Sequence, residues 1–177
     1  MENSRYLIIY LSILLALLSV AAVLVLRQAF KTRRTEMTLS RLQKKLTSGQ
    51  GEAIEYYELG SLLLDKKLYG QSATYLKQAL KHLSDSEADN AALIHNALGY
   101  VYFSQEQLDL AIREYKEALK ISPDYVTALN NLGHTYERKQ LMSQALEAYE
   151  QSLAADPKNA TAKRRSESLR KRLATSA

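Results

Sequence analysis

The sequence repeats itself with a period of about 34 residues, and this period restricts the fold more than any other feature. Leu98–Gly99 recurs as Leu132–Gly133, and the same spacing separates four further pairs: Tyr102 and Tyr136, Ala111 and Ala145, Tyr115 and Tyr149, and Pro123 and Pro157. A repeat of this length is one supersecondary unit that buries its apolar face only against neighbouring copies. Six glycines and two prolines leave little turn chemistry for an all-β fold.

The order Leu-Gly, Tyr, Ala, aromatic, small residue, Pro resembles the tetratricopeptide repeat (TPR), in which each repeat is a pair of antiparallel helices. A weaker copy begins at Leu59–Gly60. Its distance to Gly99 exceeds the period, and the polar run Ser84 to Asn90 would absorb the extra residues. The pattern predicts an all-α, three-repeat TPR superhelix over residues 51–159, with repeats at about 53–86, 92–125 and 126–159.

Within each repeat we expect the paired helices to approach closely at the glycine. Ala111 and Ala145 are predicted to be the small partners of Gly99 and Gly133 across that contact, while the tyrosines fill the space between neighbouring pairs. Residues 160–174 follow the last repeat with a thin apolar stripe on a polar helix. This composition predicts a C-terminal capping helix, because an exposed repeat end needs a polar face.

The N-terminal region contains an uncharged stretch, residues 6–26, after a short tail at residues 1–5. As a helix it would rise about 31 Å, which matches a hydrocarbon core of about 30 Å. It is predicted to be a single transmembrane helix, followed by a basic juxtamembrane helix and linker at 27–50. The alternative is a cleaved signal peptide, but the basic cluster follows the apolar stretch instead of preceding it. That cluster predicts that the C-terminal domain faces the cytoplasm or its organellar equivalent, and it predicts membrane-surface contacts by Arg27, Lys31, Arg33 and Arg34.

Charge and composition argue against several functions. Residues 51–157 hold nine basic and sixteen acidic residues between two basic ends, which is a poor pattern for binding nucleic acid. The absence of cysteine excludes disulfides and thiolate sites. His82, His95 and His134 lie in different repeats without metal-ligand spacing, and we interpret His95 as a packing residue. We therefore expect no enzyme activity, metal, cofactor or small-molecule substrate.

The first helix of each TPR lines the concave face of the superhelix, and family positions 2, 5, 9, 12 and 13 point into the groove. The strongest candidates for peptide binding at these positions are Tyr57, Ser61, Leu64, Asn96, Tyr100, Phe103, Asn130, His134, Glu137 and Arg138. The asparagines would bind a peptide backbone, and the aromatic residues would anchor an apolar side chain. The carboxylate clamp of some TPR co-chaperones needs Lys and Asn where this chain has Tyr57 and Ser61, which argues against a chaperone-tail receptor.

Beyond the repeat, the chain resembles the cyanobacterial and plastid-encoded, membrane-anchored TPR proteins implicated in photosystem I assembly. The resemblance rests on segments 31–34, 40–43, 56–60, 96–100, 129–134 and 163–165. It implies a thylakoid scaffold whose protein partners are photosystem I subunits or assembly intermediates. The alternative function is a membrane-tethered adaptor that recruits a soluble chaperone or an envelope complex component through the same groove.

Overall fold

A computed structural model describes residues 2–49, 51–84 and 89–175, and within these ranges the chain is helical with no strand. The eight helices are α1 (Glu2–Thr47), α2 (Ala53–Asp65), α3 (Tyr69–His82), α4 (Ala91–Ser104), α5 (Leu108–Ile121), α6 (Val126–Arg138), α7 (Met142–Ala155) and α8 (Ala160–Thr175). Met1, Gln50 of the predicted linker, and residues 85–88 of the predicted insertion lie outside the described residues. The predicted all-α class is confirmed.

The chain divides into two units, residues 1–45 and residues 46–177. In the first unit the predicted span and the juxtamembrane segment are one continuous helix, because neither Gly nor Pro interrupts α1. The segment Leu14–Thr47 is long and apolar enough to cross a bilayer, and its apolar stretch is exposed to the surroundings. Arg27, Lys31, Arg33 and Arg34 are exposed on the same helix. Membrane insertion itself stays a prediction.

The second unit contains three helix pairs, α2–α3, α4–α5 and α6–α7, and then α8. Each pair packs on the next, and α8 packs on α7 as the predicted cap. The core consists of the small and aromatic repeat residues, among which Tyr115, Tyr149, Ala111 and Ala145 are almost completely buried. The period in the sequence therefore becomes a regular stack in the structure.

The two helices of every pair are joined by the same turn. Lys67, Glu106 and Gln140 have φ values of 60°, 59° and 63°, in the left-handed region that L-residues seldom adopt. In each turn the next N–H donates to a carbonyl five residues back, for example from Leu141 to Tyr136 at 2.9 Å. This is a Schellman-type helix end, in which glycine is the usual left-handed residue.

The repeat glycines lie against large side chains of the second helix. A Cβ built on Gly99 would lie 2.5 Å from the Tyr115 ring, and one on Gly133 would lie 2.9 Å from the Tyr149 ring. The expectation that Ala111 and Ala145 are the small partners across this contact stays a prediction. At the equivalent position of the first repeat, Ser72 donates a hydrogen bond of 2.7 Å to the Gly60 carbonyl. The tyrosine of the second helix lies over the glycine of the first helix within one repeat, because only a missing Cβ leaves room for the ring.

Candidate peptide-binding groove

The first helices of the three repeats are neighbours in space: α2 contacts α4, and α4 contacts α6. Helix α8 begins one repeat period after α6 and so has the register of a fourth first helix. We call the solvent-facing side of these four helices the first-helix face. Because side chains three and four residues apart share one side of a helix, each helix contributes a row of residues to this face.

An aromatic–cationic cluster, formed by Tyr100, Phe103, His134 and Arg138, joins repeats two and three. The rings of Tyr100 and Phe103 are stacked with centroids 6.5 Å apart, and the His134 ring lies 5.0 Å from Phe103. The Arg138 guanidinium lies 5.8 Å from the centre of the Phe103 ring. Its position is fixed by hydrogen bonds of 2.7 Å to both carboxylate oxygens of Glu106. Four predicted groove residues are therefore brought together, and 47% of Tyr100 is exposed.

His134 is the titratable ring of this cluster. Burial lowers its pKa, and the positive charges of Arg165 and Arg138 lower it further, against the opposing charge of Glu137. A lowered pKa favours the neutral imidazole at pH 7, which suits a ring packed on Phe103. The cluster therefore offers aromatic rings beside the positive charge of Arg138, and a neutral His134 adds no further charge.

A chain of polar side chains crosses the same face closer to the first repeat. Asn131 donates to the Asn96 amide oxygen at 3.0 Å, and the Asn96 amide nitrogen donates to the Tyr125 hydroxyl at 3.4 Å. Burial raises the pKa of Tyr125, and the nearby Tyr57 adds to this, against the effect of the Asn96 hydrogen bond. Part of the hydrogen-bonding capacity of Asn96 is thus used by Asn131 of the third repeat and by Tyr125, and its role in peptide binding stays a prediction.

An apolar hollow lies where α2 and α4 begin. It is lined by Tyr57 together with Ala53, Ile54, Leu83, Asn90, Leu93 and Ile94. Ile54 and Leu93 are 56% and 42% exposed, although each is a large apolar side chain. Ser61 lines the adjacent surface of α2, and Leu64 is half-buried one turn further on. The first repeat therefore provides the apolar part of the predicted groove.

Two predicted groove residues serve mainly the packing of the domain. Asn130 accepts a hydrogen bond of 3.0 Å from buried Ser152, which in turn accepts one from Asn159 at 2.8 Å. The Asn159 side chain also caps α8 by accepting from the Thr161 and Ala162 N–H groups. The amide oxygen of Asn130 is therefore committed to α7, and this residue is a weaker candidate for ligand contact.

Glu137 is used in a similar way, because it links three helices. It accepts a hydrogen bond of 2.7 Å from the Tyr149 hydroxyl, and Arg165 of α8 lies 3.4 Å from its other oxygen. Burial raises the pKa of Tyr149, and its bond to this carboxylate raises it further. Sequence reasoning missed Arg165 as a residue of this site. Arg165 lies one full period after Asn131, a repeat position that is not among the five groove positions, so the pattern alone did not indicate it.

The other two histidines are held by structural contacts. The His82 ring stacks on Tyr56 at 4.6 Å. His95 Nδ1 lies 2.8 Å from Glu114, which also accepts from Arg113 at 2.9 Å. Burial of Glu114 would raise its pKa, but the bonds from His95 and Arg113 outweigh it and lower the pKa. The three histidines thus lie in different repeats. His82 and His95 contact residues of their own repeat, whereas His134 contacts Phe103 of the second repeat.

Comparison with known families agrees with the repeat. A TPR family model matches residues 99–140, and a tetratricopeptide repeat model matches residues 126–159. The helix pairs, the glycine–tyrosine contacts and these matches define a TPR protein, a class that binds protein partners.

Relatives of known sequence place the chain more narrowly. It is 38% identical over 130 residues to the ycf37 protein of Cyanophora paradoxa, and the match covers 72% of each chain. It is also 38% identical over 122 residues to the chloroplastic TPR domain-containing protein PYG7 of Arabidopsis thaliana. That match covers 69% of this chain but only 40% of the Arabidopsis protein. The chain belongs to the ycf37 family of TPR proteins, as the resemblance to plastid-encoded TPR proteins predicted.

Solved structures share the fold at lower sequence identity. MamA superposes with a TM-score of 0.67 at 21% identity, covering 74% of each chain. The first TPR domain of Spaghetti (RPAP3), bound to the HSP90 peptide SRMEEVD, gives a TM-score of 0.63 at 19% identity. That match covers 70% of this chain and 94% of the Spaghetti domain. At these identities the likeness establishes the TPR superhelix alone.

Proposed function

We propose that this protein is a membrane-anchored scaffold that assists the assembly or stability of photosystem I at the thylakoid membrane. Its TPR domain lies on the cytoplasmic or stromal side and holds a photosystem I subunit or an assembly intermediate. The observation that carries the proposal is the aromatic–cationic cluster, where Tyr100 is 47% exposed beside Phe103 and Arg138. Exposed aromatic residues with an adjacent arginine are typical of binding hot spots.

The anchor strengthens this proposal. An apolar helix that holds the domain at a bilayer raises its effective concentration toward membrane-bound partners without any additional contact. The basic residues that follow the span favour the cytoplasmic or stromal side for the domain. The chloroplastic name of the Arabidopsis relative supports a plastid or cyanobacterial membrane, and the peptide bound to Spaghetti supports the use of a TPR groove.

The proposal is tested by affinity capture from gently solubilised native membranes, with partners identified by mass spectrometry. The variant is Tyr100→Ala, which truncates an exposed ring with little effect on the core. The matched control is Leu68→Ala, which truncates a side chain that is 43% exposed in the turn between α2 and α3.

We expect photosystem I subunits to be enriched with the wild type and the control, and to be depleted at least about fivefold with Tyr100→Ala. Recovery of a soluble chaperone or an envelope component instead would support the adaptor function and contradict the photosystem assignment. Equal recovery of photosystem I subunits by all three forms would show that the first-helix face is not the binding surface.

A further inference from the structure

We propose, resting on the proposed function of the first-helix face as a peptide-binding groove, that this groove recognises an acidic segment of its partner carrying an apolar anchor. The acidic residues of the bound segment lie across α8, at the C-terminal end of the groove. The apolar side chain enters the hollow between α2 and α4. The groove therefore selects its ligand by charge and also fixes the direction in which the ligand lies.

The formal charge of the groove-lining helices is negative at the first repeat, zero in the next two helices and positive at the cap. Helix α2 contains three acidic residues and no basic one, and α4 contains neither Lys, Arg, Asp nor Glu. In α6 the one acidic residue, Glu137, is balanced by Arg138. Helix α8 contains six basic residues against Glu167 alone. An acidic ligand is therefore repelled at the first repeat and attracted at the cap.

The register of α8 places part of this positive charge on the groove side. Arg164 follows Asn130 by one repeat period, and Lys171 follows Glu137 by the same spacing, so these two basic residues occupy groove positions of a fourth first helix. Arg165, beside them, reaches Glu137 of α6 at 3.4 Å. Arg170 instead pairs with Glu150 of α7 at 2.7 Å and is therefore directed toward α7.

The charge available to a ligand comes from residues that the fold does not neutralise. Arg138 and Arg165 are paired with Glu106 and Glu137. Arg164 and Lys171 are exposed, and among the described residues no carboxylate pairs with either. These two side chains lose no internal ion pair when they bind a carboxylate of a partner, so their attraction adds to binding.

The apolar side chain of the ligand binds at the other end of the first-helix face, where the first repeat lies. Ile54 and Leu93 expose 56% and 42% of their surface beside Tyr57, and these residues line a concave hollow. Glu58 and Asp65 are exposed on the same helix α2. Burial of one Leu- or Phe-sized side chain here is favourable, whereas a carboxylate would meet like charge.

The test selects peptides without assuming their source. The full chain, in nanodiscs of zwitterionic lipid, is used to select from a displayed library of random peptides. We expect the selected peptides to be enriched in Asp and Glu at one end and to carry a large apolar residue toward the other. Selected peptides that are basic or without charge bias, or no selected peptide at all, would overturn the proposal.

Charge-reversal variants then test which basic residues bind the acidic peptide. The double variant Arg164→Glu, Lys171→Glu should bind a selected, fluorescein-labelled acidic peptide about tenfold more weakly at low salt. This loss of affinity should become smaller as added salt screens the charges. Lys81→Glu with Lys116→Glu makes the same charge change on exposed residues of second helices, and it should leave the affinity within about twofold. Equal losses in both double variants would show that net charge, and not the groove, attracts the peptide.

Two further readouts separate this inference from its competitors. Leu93→Ser should lower the affinity for the same peptide about fivefold or more, because the apolar side chain of the peptide then buries less apolar surface in the hollow. If Lys171 becomes protected from amine labelling only in nanodiscs of anionic lipid, and no acidic peptide is selected, the basic face of α8 binds the bilayer and the proposal is wrong. Acidic-peptide selection without capture of photosystem I subunits would instead overturn only the photosystem assignment.

Discussion

The contact between repeat glycine and tyrosine leads to a quantitative prediction, the replacement of Gly99 by alanine. The new Cβ would lie 2.5 Å and 2.6 Å from two carbons of the Tyr115 ring, where about 3.5–4.0 Å is the favourable separation. Tyr115 is almost completely buried, so the ring has little space in which to move by the required ångström. Overpacking of this kind costs about 1–3 kcal/mol of unfolding free energy.

The chain provides a matched control in Gly70, which lies in the first turn of α3. A Cβ on Gly70 would meet no atom within 4 Å, and its φ is not in the left-handed region. Alanine in place of glycine favours a helix by up to about 1 kcal/mol at either position. Gly70→Ala should therefore be neutral or stabilising, and Gly99→Ala should be less stable than Gly70→Ala by about 1–3 kcal/mol.

Thermal unfolding of the full chain in detergent, followed by far-UV circular dichroism, measures the difference. For a unit of this size, about 4 °C of Tm corresponds to about 1 kcal/mol, so the two variants should differ by about 4–12 °C. In a Tyr115→Ala background the cost of Gly99→Ala should disappear, because the ring that it meets is gone. Equal Tm values for Gly70→Ala and Gly99→Ala would refute the packing argument.

Three further predictions concern the turn, the cluster and the cap. Gln140→Gly should raise the unfolding free energy in urea by about 0.5–1 kcal/mol, because glycine adopts the positive φ without strain, and an unchanged or lower value would contradict this. His134→Asn should flatten the pH dependence of stability. Because folding lowers the pKa of His134, the unfolded chain binds the proton more readily, and folding stability falls as the pH drops from about 6.5 toward the lower pKa of the folded state. The free energy of unfolding of the wild type should therefore decrease more than that of the variant between pH 7 and pH 5. Asn130→Ala should lower the free energy of unfolding in urea by about 1–3 kcal/mol, because the buried Ser152 hydroxyl loses its hydrogen-bond acceptor. An unchanged free energy of unfolding would show that Asn130 is not a packing residue and would support its role in peptide binding.

Much of the fold was predictable because a period is a global property of the sequence. The paired recurrences at Gly99 and Gly133 predicted a stack of helix pairs without any knowledge of contacts. The turns were not predictable, because Lys67, Glu106 and Gln140 are not the glycines that signal a left-handed residue. Their conformation is imposed by the packing of the two helices that they join, which no local pattern reveals.

The candidate site was predicted less completely, since position in a repeat gives a helix face but not the partner of a side chain. The register places Tyr100, Phe103 and His134 on first helices, and the structure brings their rings close together. Asn130 and Glu137 share that register, yet α7 and α8 supply Ser152, Tyr149 and Arg165 as partners. These bonds depend on neighbouring helices that the position in one repeat does not describe.

The proposed function requires that the first-helix face assists the assembly or stability of photosystem I. The most direct test measures the photosystem I content of cells in which the Tyr100→Ala variant replaces the wild-type chain. Photosystem I and photosystem II subunits are quantified together by mass spectrometry of isolated thylakoid membranes, with cells carrying Leu68→Ala as the control. We predict that the ratio of photosystem I to photosystem II falls in the Tyr100→Ala cells, as in cells that lack the chain, and is unchanged in the control. An unchanged ratio in cells that lack the chain altogether would contradict the proposed function.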